Sequence, residues 1–350
     1  MNNRILSIDY LRVVACLLVI LLHLCGKFMF AAEPLHEFFV SNILNSFSRI
    51  CVPLFVMITG YLTISYRESP YNLYTLKITR NIILPTLIWT AIYFIFNIIK
   101  SVIQADGNFS NIDFIKPITL ILSGAPYYHM WYMYMIIPLY LIIPMLSKSL
   151  GSLSINHLKC IAIVLFILSL CDGIWKAANE ESGFWMFSFV DYLGYYFWGA
   201  YCLKSIQLNK TNGYYSLVAY IVFSLLTALL TQYFHVFSDE FYFYKNYSPT
   251  VILASVLVFS YLIRIKPVAN KYVTFISNNS FRIYFCHAAV IDTYFILIGI
   301  SSKGLKFSYV SYALYLIIGF TVVFLVSLLI CRVLEIIRYY SSEKYKLYIP

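Results

Sequence analysis

The chain has 350 residues, of which 61% are hydrophobic, 19% aromatic and only 11% charged, and its formal net charge is +10. Soluble domains carry about 25% charged residues, so this composition excludes an ordinary soluble enzyme and marks a polytopic membrane protein. The excess positive charge has no basic, aromatic-interleaved soluble domain to occupy, so it reads as a topology signal and not as nucleic-acid binding.

A membrane-spanning helix needs about 20 apolar residues. Such runs are predicted near residues 10–30, 43–65, 81–103, 130–147, 158–174, 187–203, 214–234, 248–263, 279–300 and 308–331. The expected fold class is all-α, with about ten transmembrane helices. The positive-inside rule, which puts surplus Lys and Arg in cytoplasmic loops, tests that count. With both termini inside, the cytoplasmic segments hold Arg4, Arg67, Lys77, Arg80, Lys148, Lys159, Lys204, Lys210, Arg264, Lys266, Lys271, Arg332, Arg338, Lys344 and Lys346. The outer loops hold Lys27, Lys100, Lys116, Lys176, Lys245, Lys303 and Lys306. Removing one helix would invert every later loop and destroy this asymmetry, which favours an N-in, C-in topology. One integral domain, 1–350, is expected, with a transmembrane core at about 8–332 and a short basic cytoplasmic tail at 333–350. The longest outer loops are expected near 104–126, 175–186 and 235–247. The first span reads as a retained signal-anchor helix rather than a cleaved signal peptide, because Asp9 and Arg12 interrupt the boundary where a cleaved peptide would turn apolar. The eight cysteines show no CxxC pairing and no histidine at zinc spacing, so free thiols and no structural metal are expected.

Polar residues inside these spans are costly and therefore candidates for function. Arg12 and His23 are eleven residues apart, close to three helical turns, which puts both side chains on one face about 16 Å apart. Arg12 either pairs with Asp9 or snorkels to the interface, or it faces a site; His23 is either a packing residue or a catalytic one. In the second span Arg49 precedes Pro53, which can loosen the helix. Arg49 is either a hydrogen-bonded anchor between helices or a cation facing a polar cavity. Lys77 and Arg80 satisfy orientation alone, or clamp phosphates. His129 with Trp131 and Tyr132 opens the fourth span, which continues to Tyr140 and Pro144, and Tyr284, His287 and Asp292 lie along the ninth.

Taken in order, these clusters resemble the acyltransferase 3 family of integral membrane acyltransferases. The matching elements begin with Ile8, Asp9, Leu11 and Arg12 with the ten-residue gap to His23, then Ser48-Arg49, Val52-Pro53-Leu54-Phe55 and Gly60-Tyr61-Leu62. Arg80 with Pro85, His129 with Trp131-Tyr132, and Ser280, Ile283-Tyr284 and His287 complete the pattern. Within the family, the stretch from Asn42 to Leu62 is most similar to the short branch that includes the O-acetyltransferase of enterobacterial common antigen. Tyr10 and Val13 depart from the glycines frequent beside the Leu-Arg pair, Thr59 replaces a frequent Ser, and Lys77 stands in the place of an expected Arg.

The resemblance implies a bacterial inner-membrane enzyme that moves an acyl group, acetyl or another, from cytosolic acyl-CoA to a hydroxyl of a cell-surface polysaccharide or its lipid-linked precursor. Acetyl-CoA would be a co-substrate and no cofactor would be tightly bound. Expected partners are acyl-CoA, the glycan or lipid-linked oligosaccharide, and membrane lipids, without nucleic acid. Arg12 and His23 inherit the family's essential pair. Histidine suits the task, since its ordinary pKa of about 6.5 equips it for proton transfer near neutrality. Arg49 and Asp9 would support the donor and the developing oxyanion, Lys77 and Arg80 would guide CoA phosphates, and His129, Trp131, Tyr132, Tyr284 and His287 would shape the acceptor side. The competing class is a transporter or flippase of a lipid-linked saccharide, against which stand the lack of half-length repeats and of paired broken helices.

Overall fold

Backbone groups in lipid must be satisfied within the protein, and every regular element among the described residues is helical. The computed structural model describes residues 4–31, 35–64, 71–104, 115–179, 184–206, 213–235, 241–297 and 309–346. The helices are α1 (Leu6–Ala31), α2 (Leu35–Ser48), α3 (Cys51–Ile64), α4 (Tyr71–Ile78), α5 (Leu84–Gln104), α6 (Ile115–Leu122), α7 (Trp131–Ser152), α8 (Ile155–Asn179), α9 (Leu193–Ser205), α10 (Gly213–His235), α11 (Pro249–Leu262), α12 (Lys271–Leu297) and α13 (Tyr309–Lys346). Part of the basic-residue asymmetry rests on Arg67, Lys210, Lys303 and Lys306, which lie outside the described residues.

Among the described residues, seven segments are long and apolar enough to cross a membrane, against the ten expected: Leu6–Lys27, Phe38–Thr63, Tyr71–Ile103, Trp131–Ser152, Ile155–Asn179, Gly213–Phe234 and Tyr312–Ile337. The three expected spans that fall short do so for identifiable reasons. Helices α9 and α11 have only 13 and 14 residues, and most of their side chains are buried. Helix α12 has 27 residues, but buries Ser277, Asn279, Ser280, His287 and Asp292, so its polarity lowers the hydropathy of any window.

Prolines explain where the other boundaries move. The second expected span is two helices, broken by a turn at Arg49–Ile50 ahead of Pro53. Pro53 stands third in α3, in the first turn, where its missing N–H costs no intrahelical bond. The third expected span begins earlier, at Tyr71, and runs through a π-helical turn, Thr79–Ile83. Pro85 cannot donate to Asn81, and the Leu84 N–H reaches Thr79 O instead, a wider bond that passes the proline. In α7, Pro144 leaves the Tyr140 carbonyl without its usual donor, and the Tyr74 hydroxyl donates to that oxygen at 3.0 Å. The expected outer loop at 104–126 contains α6, the loop at 175–186 begins inside α8, and the expected tail is a continuation of α13 to Lys346.

Helix α1 runs through the interior, packed on α2, α3, α12 and α13. Helices α3 and α9 approach closely, with glycines facing backbone in both directions. A Cβ on Gly60 would lie 1.9 Å from Tyr196 O, and one on Gly199 would lie 2.0 Å from Met57 O. Neither helix can yield, because the obstacle is main chain on each side, and small residues are what permit such contact in lipid. Gly60→Ala and Gly199→Ala are each expected to destabilise by about 1–3 kcal/mol through overpacking. Gly151→Ala, with nothing within 4 Å of the added methyl, should match the wild type when thermal unfolding is followed in detergent.

Candidate functional site: two cavities along one helix

Two cavities open beside α1. The larger, about 560 Å³, is lined by Arg12, Thr59, Lys77, Asn81, Tyr140 and Asn278, with aromatic walls from Phe55, Tyr132, Phe281 and Tyr284. The smaller, about 200 Å³, is lined by His23, Arg49, Tyr128, His129, Trp131, Tyr132, Asn246 and Tyr284. Tyr132 and Tyr284 face both, with ring centroids 5.5 Å apart. The spacing of Arg12 and His23 along one helix face therefore places one residue in each cavity.

Arg49 is held by a polar stripe on α2. Asn42, Asn45, Ser46 and Arg49 recur at three- and four-residue intervals, the period of one helix face. Asn42 Nδ2 donates to Ala228 O at 2.9 Å and the Tyr244 hydroxyl donates to Asn42 Oδ1 at 2.5 Å. Asn45 Nδ2 donates to Leu22 O at 3.0 Å, beside His23, while Asn45 Oδ1 accepts from Arg49. Arg49 also donates to Tyr244 O at 3.2 Å and lies 3.9 Å over that residue's ring. Two of its nitrogens are thus spoken for, and the buried Nε has no partner. The turn between α2 and α3 brings this guanidinium to the cavity that His23 lines.

His129 comes from the connection between α6 and α7. Gly124 makes the turn there with φ +74°, a region that suits glycine, and a Cβ at this position would strike the Trp185 ring at 2.6 Å. Asn97 donates to Pro126 O at 3.2 Å and the Tyr284 hydroxyl donates to His129 O, which fixes the end of the connection. The His129 ring lies 6.3 Å from that of His23 and 5.0 Å from that of His287, and His23 and His287 are 5.3 Å apart. Both ring nitrogens of His129 are buried without a hydrogen-bond partner. His287 Nδ1 meets Tyr284 O at 2.6 Å, so the proton on that nitrogen is donated to the carbonyl, and Nε2 is left unpartnered. Although three imidazoles meet here, among the described residues no group of three or more His, Cys, Asp or Glu has an arrangement that could hold a metal ion. All eight cysteines are free thiols.

The other expected site residues divide. Trp131 and Tyr132 line the smaller cavity and Lys77 lines the larger one. Arg80 is exposed and lines neither, because Lys77, Ile78, Asn81 and Ile82 share the cavity-facing side of the helix and Arg80 falls on another. Asp9 is buried and committed to Arg4 and to the Ser277 hydroxyl, which donates at 2.7 Å, so it contributes to neither cavity. Arg12 forms no ion pair or hydrogen bond with a described residue, feels the Asp9 charge only at longer range, and lines the larger cavity. His287 stands behind His23 and His129, outside the lining of either cavity.

Sequence reasoning missed Asn45, Asn246, Tyr127 and Tyr128, and it assigned Lys27 and Lys100 to loops. Asn45 carried a usable signal, since it falls one helical turn before Arg49. Asn246, which donates to the Tyr192 hydroxyl at 2.8 Å, carried none.

No curated protein and no solved structure matches the chain. The model of the family described as an acyltransferase domain matches residues 5–332, nearly the whole chain. The chain therefore belongs to the acyltransferase 3 family and is a membrane-embedded member of it.

Proposed function

We propose that the protein is an O-acyltransferase that takes an acyl group, acetyl in the first instance, from cytosolic acyl-CoA and delivers it to a hydroxyl of a cell-surface polysaccharide or its lipid-linked precursor. The observation that carries this reading is the pair of cavities on α1, one holding Arg12 and the other His23, with a shared wall of Tyr132 and Tyr284. A bisubstrate transfer needs two sites that meet at one reacting centre. In this reading the protein is one integral domain with ten spans and both termini in the cytosol, in the inner membrane of a bacterium. The short α9 and α11 and the polar α12 then cross as inner helices, shielded from lipid by their neighbours.

The thioester enters the larger cavity, where Arg12 and Lys77 attract the phosphates and the acyl carbonyl points toward Tyr132 and Tyr284. Arg80, on the exposed surface, extends the positive approach to that mouth. The acceptor hydroxyl enters the smaller cavity and meets His23. His23 removes the hydroxyl proton as the oxygen attacks the thioester carbonyl. The unpartnered Nε of Arg49 donates to the oxyanion that develops, a form of stabilisation that gains strength where water is excluded. Collapse of the tetrahedral species breaks the C–S bond, and the proton on His23 passes to the departing CoA sulfur. Trp131, Tyr132, His129 and Tyr284 bound the space left for the sugar ring, with His287 packed behind the imidazoles. The similarity of the Asn42 to Leu62 stretch supports placing the protein near the enterobacterial common antigen O-acetyltransferase branch.

A transporter of a lipid-linked saccharide is the competing function, since two cavities with a shared wall also suit alternating access. Family membership favours transfer. Purified protein incubated with labelled acetyl-CoA and membranes containing the acceptor should release CoA thiol and incorporate label, whereas a flippase would do neither. His23→Ala is expected to reduce incorporation at least a hundredfold with normal expression, in line with loss of a general base. Arg12→Lys, which keeps the charge and loses the planar fork, should raise KM for acetyl-CoA more than it lowers kcat. For topology, a fluorescent protein joined to the C-terminus should fluoresce, and alkaline phosphatase joined after Asn246 should be active.

A further inference from the structure

Three segments supply the imidazoles of the site: α1 carries His23, the connection before α7 carries His129, and α12 carries His287. One buried carboxylate touches all three. Asp292 lies on α12 itself, five residues beyond His287, and is 2% exposed. Its Oδ1 is 2.9 Å from Nζ of Lys27, four residues beyond His23 on α1. Its Oδ2 accepts from the hydroxyl of Tyr127, two residues before His129, and from Lys100 on α5 at 2.6 Å. Lys27 also lies 4.8 Å over the Tyr128 ring, whose centroid is 5.0 Å from that of His23. The Tyr127 ring stacks 4.4 Å from Tyr93, which is in turn 5.0 Å from His129.

We infer that Asp292 is the positioning residue of the site, holding the three histidines in mutual register through Lys27 and Tyr127. The inference rests on the acyl-transfer reading for its kinetic consequence, but the geometry stands apart from it. Asp292 lines neither cavity and cannot touch substrate there. Its ligands are nevertheless the residues that orient the groups that do. Removing its charge takes from the part-exposed Lys27 and Lys100, 33% and 25% exposed, the buried counter-ion they share, so their mutual repulsion is no longer offset. The two ammonium groups would separate, and the α1 end and the Tyr127–His129 segment would separate with them. The Arg12 cavity, near the opposite end of α1, has no member of this cluster in its wall.

The test uses the full chain purified in detergent with labelled acetyl-CoA and acceptor membranes. Wild type is compared with Asp292→Asn, Lys27→Met, Tyr127→Phe and the Lys27→Met/Asp292→Asn double variant. Diethyl pyrocarbonate labelling of histidines, mapped by mass spectrometry, provides a readout independent of turnover. Asp292→Asn should lower kcat at least tenfold while KM for acetyl-CoA stays within twofold, and labelling of His23 and His129 should rise at least threefold. The double variant should be no worse than Asp292→Asn within twofold, since both changes sever one linkage. Glu335→Gln, which alters the separate pairing with Arg282 and Arg332, should leave both readouts unchanged. Wild-type kcat in Asp292→Asn, parallel changes in kcat and KM, or additive losses in the double variant would overturn the inference. If Asp292→Asn does not fold, Lys27→Met and Tyr127→Phe decide: each should lower kcat at least threefold at constant KM, and wild-type values in both refute the assignment. A wild-type protein that transfers no label refutes the acyl-transfer reading instead, and the labelling pattern alone then decides whether Asp292 positions the histidines.

Discussion

Polar groups inside a membrane must find their partners within the protein, and that requirement organises this molecule. An unpaired polar group in hydrocarbon costs several kcal/mol, so helices bearing asparagine, serine, arginine and aspartate are drawn inward and bound to one another. The α2 stripe of Asn42, Asn45 and Arg49 ties α2 to α1, α10 and Tyr244. On α12, Ser277 binds Asp9, Asn279 binds Glu335 and Asp292 binds Lys27, Lys100 and Tyr127. Helices such as α5, α8, α10 and α13 join this network through residues such as Lys100, Lys176, Thr227 and Glu335, and otherwise present exposed Leu, Ile and Val outward. The layering thus follows from polarity before packing is considered.

Against that background the exceptions carry information. Asp9, Asn42 and Asn45 are committed to structural partners, and while buried atoms such as Tyr196 Oη, Ser224 Oγ, Thr231 Oγ1 and Ser327 Oγ lack a hydrogen bond singly, four lie together: Arg49 Nε, both nitrogens of His129 and Nε2 of His287. These atoms cluster around His23 and the smaller cavity. Orphaned buried polar groups in a native structure ask for an explanation, and a site held ready for substrate supplies one. The surrounding network is rigid where it can be, with backbone carbonyls of Leu22, Tyr244, His129 and Tyr284 all receiving side-chain donors. Strong hydrogen bonds at the rim hold a few unpaired atoms in place at the centre.

Backbone interruptions serve the same end. Pro53, Pro85 and Pro144 each remove a donor, and in each case the helix breaks, widens or exposes a carbonyl beside a cavity. The turn at Arg49–Ile50 swings the guanidinium inward, and the π-helical turn at Thr79–Ile83 carries the chain past Pro85 beside the larger cavity. The glycine contacts between α3 and α9 then clamp the helix that follows the turn. Local covalent chemistry sets where the chain bends, while neighbouring helices decide what the bend presents.

Sequence alone determined the all-helical membrane class and singled out Arg12, His23, Arg49, His129 and His287, because an ionisable or imidazole side chain in an apolar run is conspicuous at its own position. It also showed that Arg12 and His23 share a helix face, since helical periodicity is a property of adjacent residues. It did not show that Asp9 is held by Arg4 and Ser277, or that Arg80 lies outside both cavity walls, because those depend on the surroundings of each side chain. Only the tertiary structure decided that Arg12 and His23 open into different cavities, that three histidines from three segments meet, and that Lys27 and Lys100 turn inward to Asp292. Those two lysines are 265 and 192 residues from their partner. Charge at a span end identifies only a boundary, and whether it faces water or a buried carboxylate is settled by which helices pack beside it.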